Sequence, residues 1–546
     1  MGGLSMHKRL WQSPEQLENL LYELVGWDSH TLSEGERTFP EKLERKLLHL
    51  DYFYTKPELI SLQPVDFGRK LLTALYKHPE AVKTIVLLSH YDTVETKEYG
   101  TLEPLAVDPE ALTARLFEEV HTLPGAARED LVSGQYVFGR GTMDMKAGLM
   151  LHMKLLEQAI EESWPLNLVL LTVPDEEVNS SGMRAAVPEL LRLREEHSLS
   201  YSLFLNSEPS FTQEPGDETH YIYTGTMGKI MPAALFYGKE THVGEPLSGI
   251  TANYMASFLT QAMEWNTSFR EEHFNETTPL PVSLHQKDLK AEYSTQTPYR
   301  SIALYNVFLM RQNASDIMNL FEETAESAVN TCNASYRKLC EQEKIEGVGN
   351  IQTLRYEKLL IYAEQKLGSE KVEQLKNNVY TRHEWDDREK SFGLADELMI
   401  HCPELAPAVV LLYAPPYYPA VNTSEDPVAK DLIHQAQNIA HSQQIDLKHA
   451  HYFNGICDLS YVQYTDDGTE FETYKKNTPV WGSTYTIPFD EMKMLQAPVL
   501  NIGPFGKDPH QRMERLHIHN AFVHTPAMLE RVLKRLFEPL YETQSE

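Results

Sequence analysis

Residues 166–186 read LNLVLLTVPDEEVNSSGMRAA. An apolar run stops at Asp175, Glu176 and Glu177 side by side. Adjacent carboxylates repel one another, and each is costly to desolvate without a partner. Acidic residues favour the positive end of a helix dipole, and the segment that follows has helical spacing. A solvated helix start therefore accounts for the triplet taken alone. It does not account for the same arrangement recurring along the chain.

Upstream, AVKTIVLLSHYDTV (81–94) reads as a buried strand with a polar tip, and DMKAGLMLHMKLLEQAI (144–160) as a helix. Downstream, SSGMRAAVPELLRLREEH (180–197) reads as a helix and SYSLFLNSEPS (200–210) as a short strand ending in Glu-Pro. Strands alternating with helices predict an α/β sandwich around a largely parallel sheet. After about residue 220 the pattern changes. THYIYTGTMGKIMPAALFYG (219–238) alternates as an antiparallel strand would, and 315–344 reads as one long helix. LGSEKVEQLKNN (367–378) and TRHEWDDREK (381–390) look like solvent-facing insertions. From PAVVLLYAPP (407–416) the α/β rhythm returns and runs to a closing helix over 527–542. The expected organisation is a discontinuous α/β catalytic domain, 1–221 and 406–546, interrupted by an enlarged α+β domain over 222–405.

Bulk properties narrow the class. A 546-residue chain exceeds one ordinary core. Its 42% hydrophobic and 23% charged content is that of a globular protein. A net charge of −30 argues against nucleic acid or an anionic membrane as the main partner. The apolar runs fall short of the roughly 20 residues of a membrane span, and the first residues lack a signal-peptide pattern. Four cysteines with no C-x-x-C pair fit reduced thiols. A cytoplasmic protein is expected.

The polar strand tips carry the chemistry. In SHYD, His90 and Asp92 point to one face, because the strand period is two. His90 could hold a metal through one ring nitrogen while Asp92 holds the other N–H. VFGRGTMDMKAGLM (137–150) supplies Asp144 in a Gly-rich turn before a helix, where a capping role is the competing reading. Glu176 and Glu177 follow one strand, and Glu208 in LNSEPS follows another. The carboxyl ends of strands in open α/β sheets line the ligand crevice, so these groups are expected to converge.

The ordered series LLSHYDTV, GRGTMDMKAGLM, LLTVPDEEVNSSG and LNSEP resembles the di-zinc exopeptidase and amidohydrolase family of acetylornithine deacetylase, succinyl-diaminopimelate desuccinylase, aminoacylase and glutamate carboxypeptidase. SHTLSEGERTFPEKL (29–43), the 227–256 segment and GPFGKDPHQRMERLHI (503–518) extend the likeness. PPYYPAVN and FNGICDLSYV are similar to the branch that contains the arginine-utilisation protein RocB. The resemblance implies two Zn2+ ions, with Mn2+ or Co2+ fitting the same donors. It makes Asp144 the bridging ligand, His90 and Glu208 the remaining ligands of one ion, and Glu177 and His510 those of the other. Glu176 would be the general base, Asp92 the support of His90, and Asp175 a turn or cap residue. His242 in KETHVGEPLSG matches a lid histidine that donates to the oxyanion, and Gly455 with Asp458 a substrate loop.

The match departs from the family at Ala147, where a glycine is usual, and at Pro509 before His510. His517, His519 and His524 lie nearby, but the spacing from His510 to Glu514 favours His510. The enlarged 222–405 segment leaves open whether His242 acts within its own chain, and whether the protein is a homodimer or a monomer. Arg300, Arg311 and Arg382 are candidates for holding a substrate carboxylate. The function implied is hydrolysis of an amide bond in an amino-acid-like or peptide substrate, within arginine or ornithine catabolism on the narrower likeness. A ureido or amidine hydrolase, a dipeptidase or aminopeptidase, and a silent amino-acid-binding relative are the alternatives.

Overall fold

The run that ends in the acidic triplet becomes strand Asn167–Val173, buried at every position. Burial on both faces is why it reads as continuously apolar. The computed structural model describes residues 9–210, 212, 213, 217–465 and 469–537, and the end of the expected 527–542 helix lies outside them. The chain forms two compact units.

The first unit comprises Met1–Thr226, Val421–Tyr464 and Pro488–Glu546. Its sheet runs Ile60–Pro64, Lys70–Tyr76, Asn167–Val173, Lys83–His90, Ser200–Asn206, Val499–Asn501, His220–Tyr223, Leu447–Ala450. Strand Lys83–His90 is parallel to both neighbours. The sheet as a whole is mixed rather than largely parallel. Lys70–Tyr76 pairs antiparallel with both Ile60–Pro64 and Asn167–Val173, and a further antiparallel pair joins Asn501 to Tyr223. Apolar runs report burial on two faces and carry no sign of strand direction, which is why the sequence did not separate these cases.

Helix Lys146–Glu162 is buried from Lys146 through Ala159 and packs within the main core, with helix Pro14–Gly26 contributing Leu17, Leu20 and Leu24. A small sheet pairs Arg515–His517 with Tyr136–Phe138, opposing Arg515 to Phe138. That pairing brings the 503–518 motif beside the turn that carries Asp144.

The second unit comprises Met227–Ala420 and Thr465–Ile487. Its sheet runs Val282–Asp288, Arg300–Leu309, Pro232–Tyr237, Ala408–Tyr413, Gln352–Arg355. The expected return of the catalytic domain at 406 is corrected here. Ala408–Tyr413 is an interior strand of the second sheet, paired with Pro232–Tyr237 and Gln352–Arg355. The segment 465–487 also belongs to this unit, where Tyr474 stacks on Tyr413. A buried apolar run does not state which sheet it joins. The charged segments expected as solvated insertions form helices Ser369–Tyr380 and Asp387–His401, whose Val372, Leu375, Phe392 and Leu398 enter the unit's core. No helix among the described residues is long and apolar enough to cross a membrane.

Candidate metal centre

The parallel register sets His90 opposite Val173 and Leu88 opposite Asn206. The chain leaving each strand therefore emerges at one edge, carrying His90, then Glu176 and Glu177, then Glu208. His90 Nε2 lies 3.3 Å from Asp144 Oδ1, 3.6 Å from Glu208 Oε1 and 4.0 Å from Glu176 Oε2. His510 Nε2 lies 3.0 Å from Asp144 Oδ2 and 3.1 Å from Glu177 Oε2. Asp144 thus turns one oxygen to each imidazole.

Two groups result, His90–Asp144–Glu208 and Asp144–Glu177–His510, each with donor atoms within 4.8 Å of one another. Ligand atoms at tetrahedral angles around an ion held at zinc-like distances stand about 3.4 Å apart, so both groups fit a divalent cation. Glu177 Oε1 and Glu208 Oε1 are buried and accept no hydrogen bond among the described residues, and such buried acceptors require a partner. His517, His519 and His524 join neither group. His517 instead packs edge-on against Tyr136, and His519 against His524.

Asp92 does more than face His90. His90 Nδ1 is 3.0 Å from the Asp92 main-chain oxygen and 3.5 Å from its carboxylate. That carboxylate accepts the N–H groups of Glu176 and Glu177 at 3.1 and 3.3 Å and the Thr31 hydroxyl at 3.0 Å. It therefore clamps the backbone that presents both glutamates. Asp175 is a turn and a cap: its carbonyl accepts from Ser180 N–H, and its carboxylate from Ser181 N–H at the start of helix Ser181–His197.

The electrostatics follow from burial and proximity. Burial pushes the Glu176 carboxyl well above its usual range, aided by the charges of Asp458, Glu177 and Glu208 against the pull of His90. Glu208 and Glu177 are raised by burial too. For Asp144, burial is outweighed by hydrogen bonds to His510 and His90, which hold it well below the carboxylate range. The reciprocal effect pushes His510 up to about 11 against its burial.

Supports the sequence did not reveal surround this cluster. Buried Arg140 donates to Glu514 at 2.6 Å, and Glu514 in turn accepts the Met143 N–H at 3.4 Å, one residue before Asp144. Burial pushes Glu514 up to about 7. Arg69, 2% exposed, reaches Asp175 at 2.7 Å and Glu36 at 3.3 Å. Arg140 had a local signal in its place just before the Asp144 turn; for Arg69 the nearby Asp66 gave no hint of this cluster, because Glu36 and Asp175 lie 33 and 106 residues away.

Of the remaining candidates, Asp458 is buried in the first unit, and its charge reaches Glu176 and Glu208. Gly455 is half-buried, and a Cβ there would stand 2.7 Å from the Phe453 ring. His242 belongs to the second unit, where it is exposed and its Nδ1 accepts the Gly244 N–H at 3.1 Å. Arg300 is paired with Asp396 at 2.7 Å, and Arg382 stacks over Trp385.

Over residues 86–535 the sequence matches the family described as Peptidase family M20/M25/M40. Two proteins of Bacillus subtilis (strain 168) align along nearly the whole chain. Uncharacterized protein YqjN is 38% identical over 535 residues, 97% of either chain. Protein RocB is 29% identical over 545 residues, 96% of this chain and 95% of RocB. Among solved structures, the M20 family metallo-carboxypeptidase Sso-CP2 from Sulfolobus solfataricus superposes with a TM-score of 0.54 at 12% identity, covering 94% of this chain and 99% of that one. This last likeness is one of fold. The chain is a hydrolase of peptidase family M20/M25/M40.

Proposed function

We propose that the protein hydrolyses an amide bond of an amino-acid-like or peptide substrate at a two-cation centre in its first unit. The observation that carries this reading is Asp144, whose two oxygens each face a histidine while Glu176 stands beside the cluster without belonging to either donor group. His90, Asp144 and Glu208 would hold one cation, and Asp144, Glu177 and His510 the other. The mixed nitrogen and oxygen donors suit Zn2+ and fit Mn2+ or Co2+. Such cations, when bound, acidify a water and polarise a carbonyl oxygen.

Glu176 takes the proton from the attacking water and delivers it to the leaving amine. A carboxyl lifted by burial is suited to both directions of that transfer. Asp92 keeps Glu176 and Glu177 in register through their N–H groups. The first unit acts as the catalytic domain and the second as the lid. From the lid His242 would donate to the oxyanion, while Gly455 in the first unit would line the substrate. The similarity to RocB supports a role in arginine or ornithine catabolism. A cytoplasmic setting is consistent with four free, buried cysteines, and both a homodimer and a monomer fit the enlarged lid.

The test is release of primary amine and of ammonia from N-acyl amino acids, dipeptides, citrulline and arginine, with Zn2+- or Mn2+-loaded protein. Glu176→Gln should lower kcat by about 10²–10⁴-fold with the metal content unchanged. Ammonia released from citrulline or arginine alone would replace the amidase reading by a ureido or amidine hydrolase. Turnover undiminished in Glu176→Gln would remove that residue as the base.

A further inference from the structure

Glu177 and His510 reach Asp144 from two separate turns, and the turns share a construction. Each is entered through an aspartate in the left-handed region two residues earlier: Asp175 with φ 69° and Asp508 with φ 56°. His510 itself has φ 59°. Aspartate adopts this conformation more readily than most residues but still against a steric penalty, so something must hold it there.

In both turns a buried arginine does so. Arg69 Nη1 donates to Asp175 Oδ1 at 2.7 Å, and Arg515 Nη1 donates to Asp508 Oδ2. The Nε of each guanidinium is anchored outside its turn, on Asp66 or Asp130. Arg69 Nε donates to Asp66 at 2.8 Å and its Nη2 to the Ser181 hydroxyl at 3.0 Å. Arg515 Nε donates to Asp130 at 2.8 Å and its Nη1 to the Met513 carbonyl at 3.0 Å. The guanidiniums are 2% and 1% exposed, and a lysine could not span both sides of either bridge. His90 instead ends a strand and is paired with Val173, and Glu208 follows the adjacent parallel strand by two residues, its main-chain oxygen accepting from the Asn501 amide at 3.2 Å.

We propose that Arg69 and Arg515 are positioning residues that act, through Asp175 and Asp508, on one cation site alone, Asp144–Glu177–His510, and leave His90–Asp144–Glu208 intact. This rests on the two-cation reading above. The side-chain hydrogen bonds of both arginines go to groups other than the donors Asp144, Glu177 and His510; each fixes the turn from which a donor projects.

The test is equilibrium dialysis of the full-length, chelator-stripped protein against Co2+, reading bound ions per chain and the visible Co2+ absorption. Wild type would be compared with Arg69→Lys, Arg515→Lys and Asp508→Asn, with His510→Ala as the reference for a lost second site. Asp508 is 40% exposed on its side chain, so Asp508→Asn keeps the test open should a buried arginine variant fail to fold. The expected result is one ion held as tightly as in wild type and one weakened by about tenfold or more, with the residual spectrum matching that of His510→Ala. Variants that bind both ions with wild-type affinity, or that lose both together, would overturn the proposal. A wild type that binds one ion or none would overturn the two-cation reading itself, and the proposal with it.

Discussion

Glu176 and Glu177 are chain neighbours with different surroundings. Glu177 meets His510 at 3.1 Å, whereas Glu176 comes no nearer to His90 than 4.0 Å. Clamping both N–H groups on Asp92 makes this division possible, since it fixes where each side chain departs. The histidine state gives a prediction at this scale. Without a cation, His510 is protonated up to about pH 11, because Asp144 and Glu177 outweigh the effect of burial. Its unfolded value is near 6.5. The stabilisation from this imidazolium is therefore complete below about pH 6.5 and is lost as pH rises towards 11. A cation needs the neutral ring, so affinity runs the opposite way and should rise by up to about tenfold per pH unit for each proton displaced. Competition with a chromophoric chelator for Zn2+ between pH 6 and 9 measures it. Affinity flat across that range would mean that binding displaces no proton from His510.

At the scale of elements, helix Lys146–Glu162 is packed so closely against the end of strand Ser200–Asn206 that its glycine has no spare room. A Cβ on Gly148 would stand 2.5 Å from the Ser207 carbonyl oxygen and 2.7 Å from Met145 Cε. Ala147, by contrast, sits in the core with its methyl accommodated. The departure from the family at 147 is thus harmless, and the glycine that matters is the next one. Gly148→Ala should destabilise the protein by about 1–3 kcal/mol and, by pressing on Ser207, weaken the neighbouring Glu208 as a donor. Urea unfolding with metal-content analysis checks both effects; wild-type stability with full metal content would show that the helix moves aside freely.

On the scale of the whole molecule, every proposed cation donor lies in the first unit, although the residues span positions 90 to 510. Cation loading should therefore slow amide exchange around 174–180 and 508–513, which lie outside the strands of the first unit. The interior strands of the second sheet, Pro232–Tyr237 and Ala408–Tyr413, should be unchanged. Hydrogen exchange read by mass spectrometry, with and without Zn2+, distinguishes the two regions. Equal protection of the second sheet would show that cation binding is not local to the first unit. Helices Ser369–Tyr380 and Asp387–His401 contribute to the core of the second unit, which gives its expanded length a structural role.

The sequence by itself determined that the runs ending at His90, Val173 and Asn206 become strands and that the segments after Asp144 and Ser180 become helices, and it placed His90, Glu176, Glu177 and Glu208 at strand ends. Those features are local: periodicity, an apolar run and a polar tip are written within a dozen residues. With the resemblance added, it also named Asp144 and His510. Only the tertiary structure decided that Ala408–Tyr413 joins the second sheet, that the 465–487 segment goes with it, and that charged helices help build a core. It alone showed His510, rather than His517 or His519, facing Asp144, because the pairing of Arg515–His517 with Tyr136–Phe138 sets that approach. It alone found Arg69 behind the acidic triplet. A run of residues encodes how much of itself must be buried, and partners brought together across 106 or more positions leave no mark in either stretch.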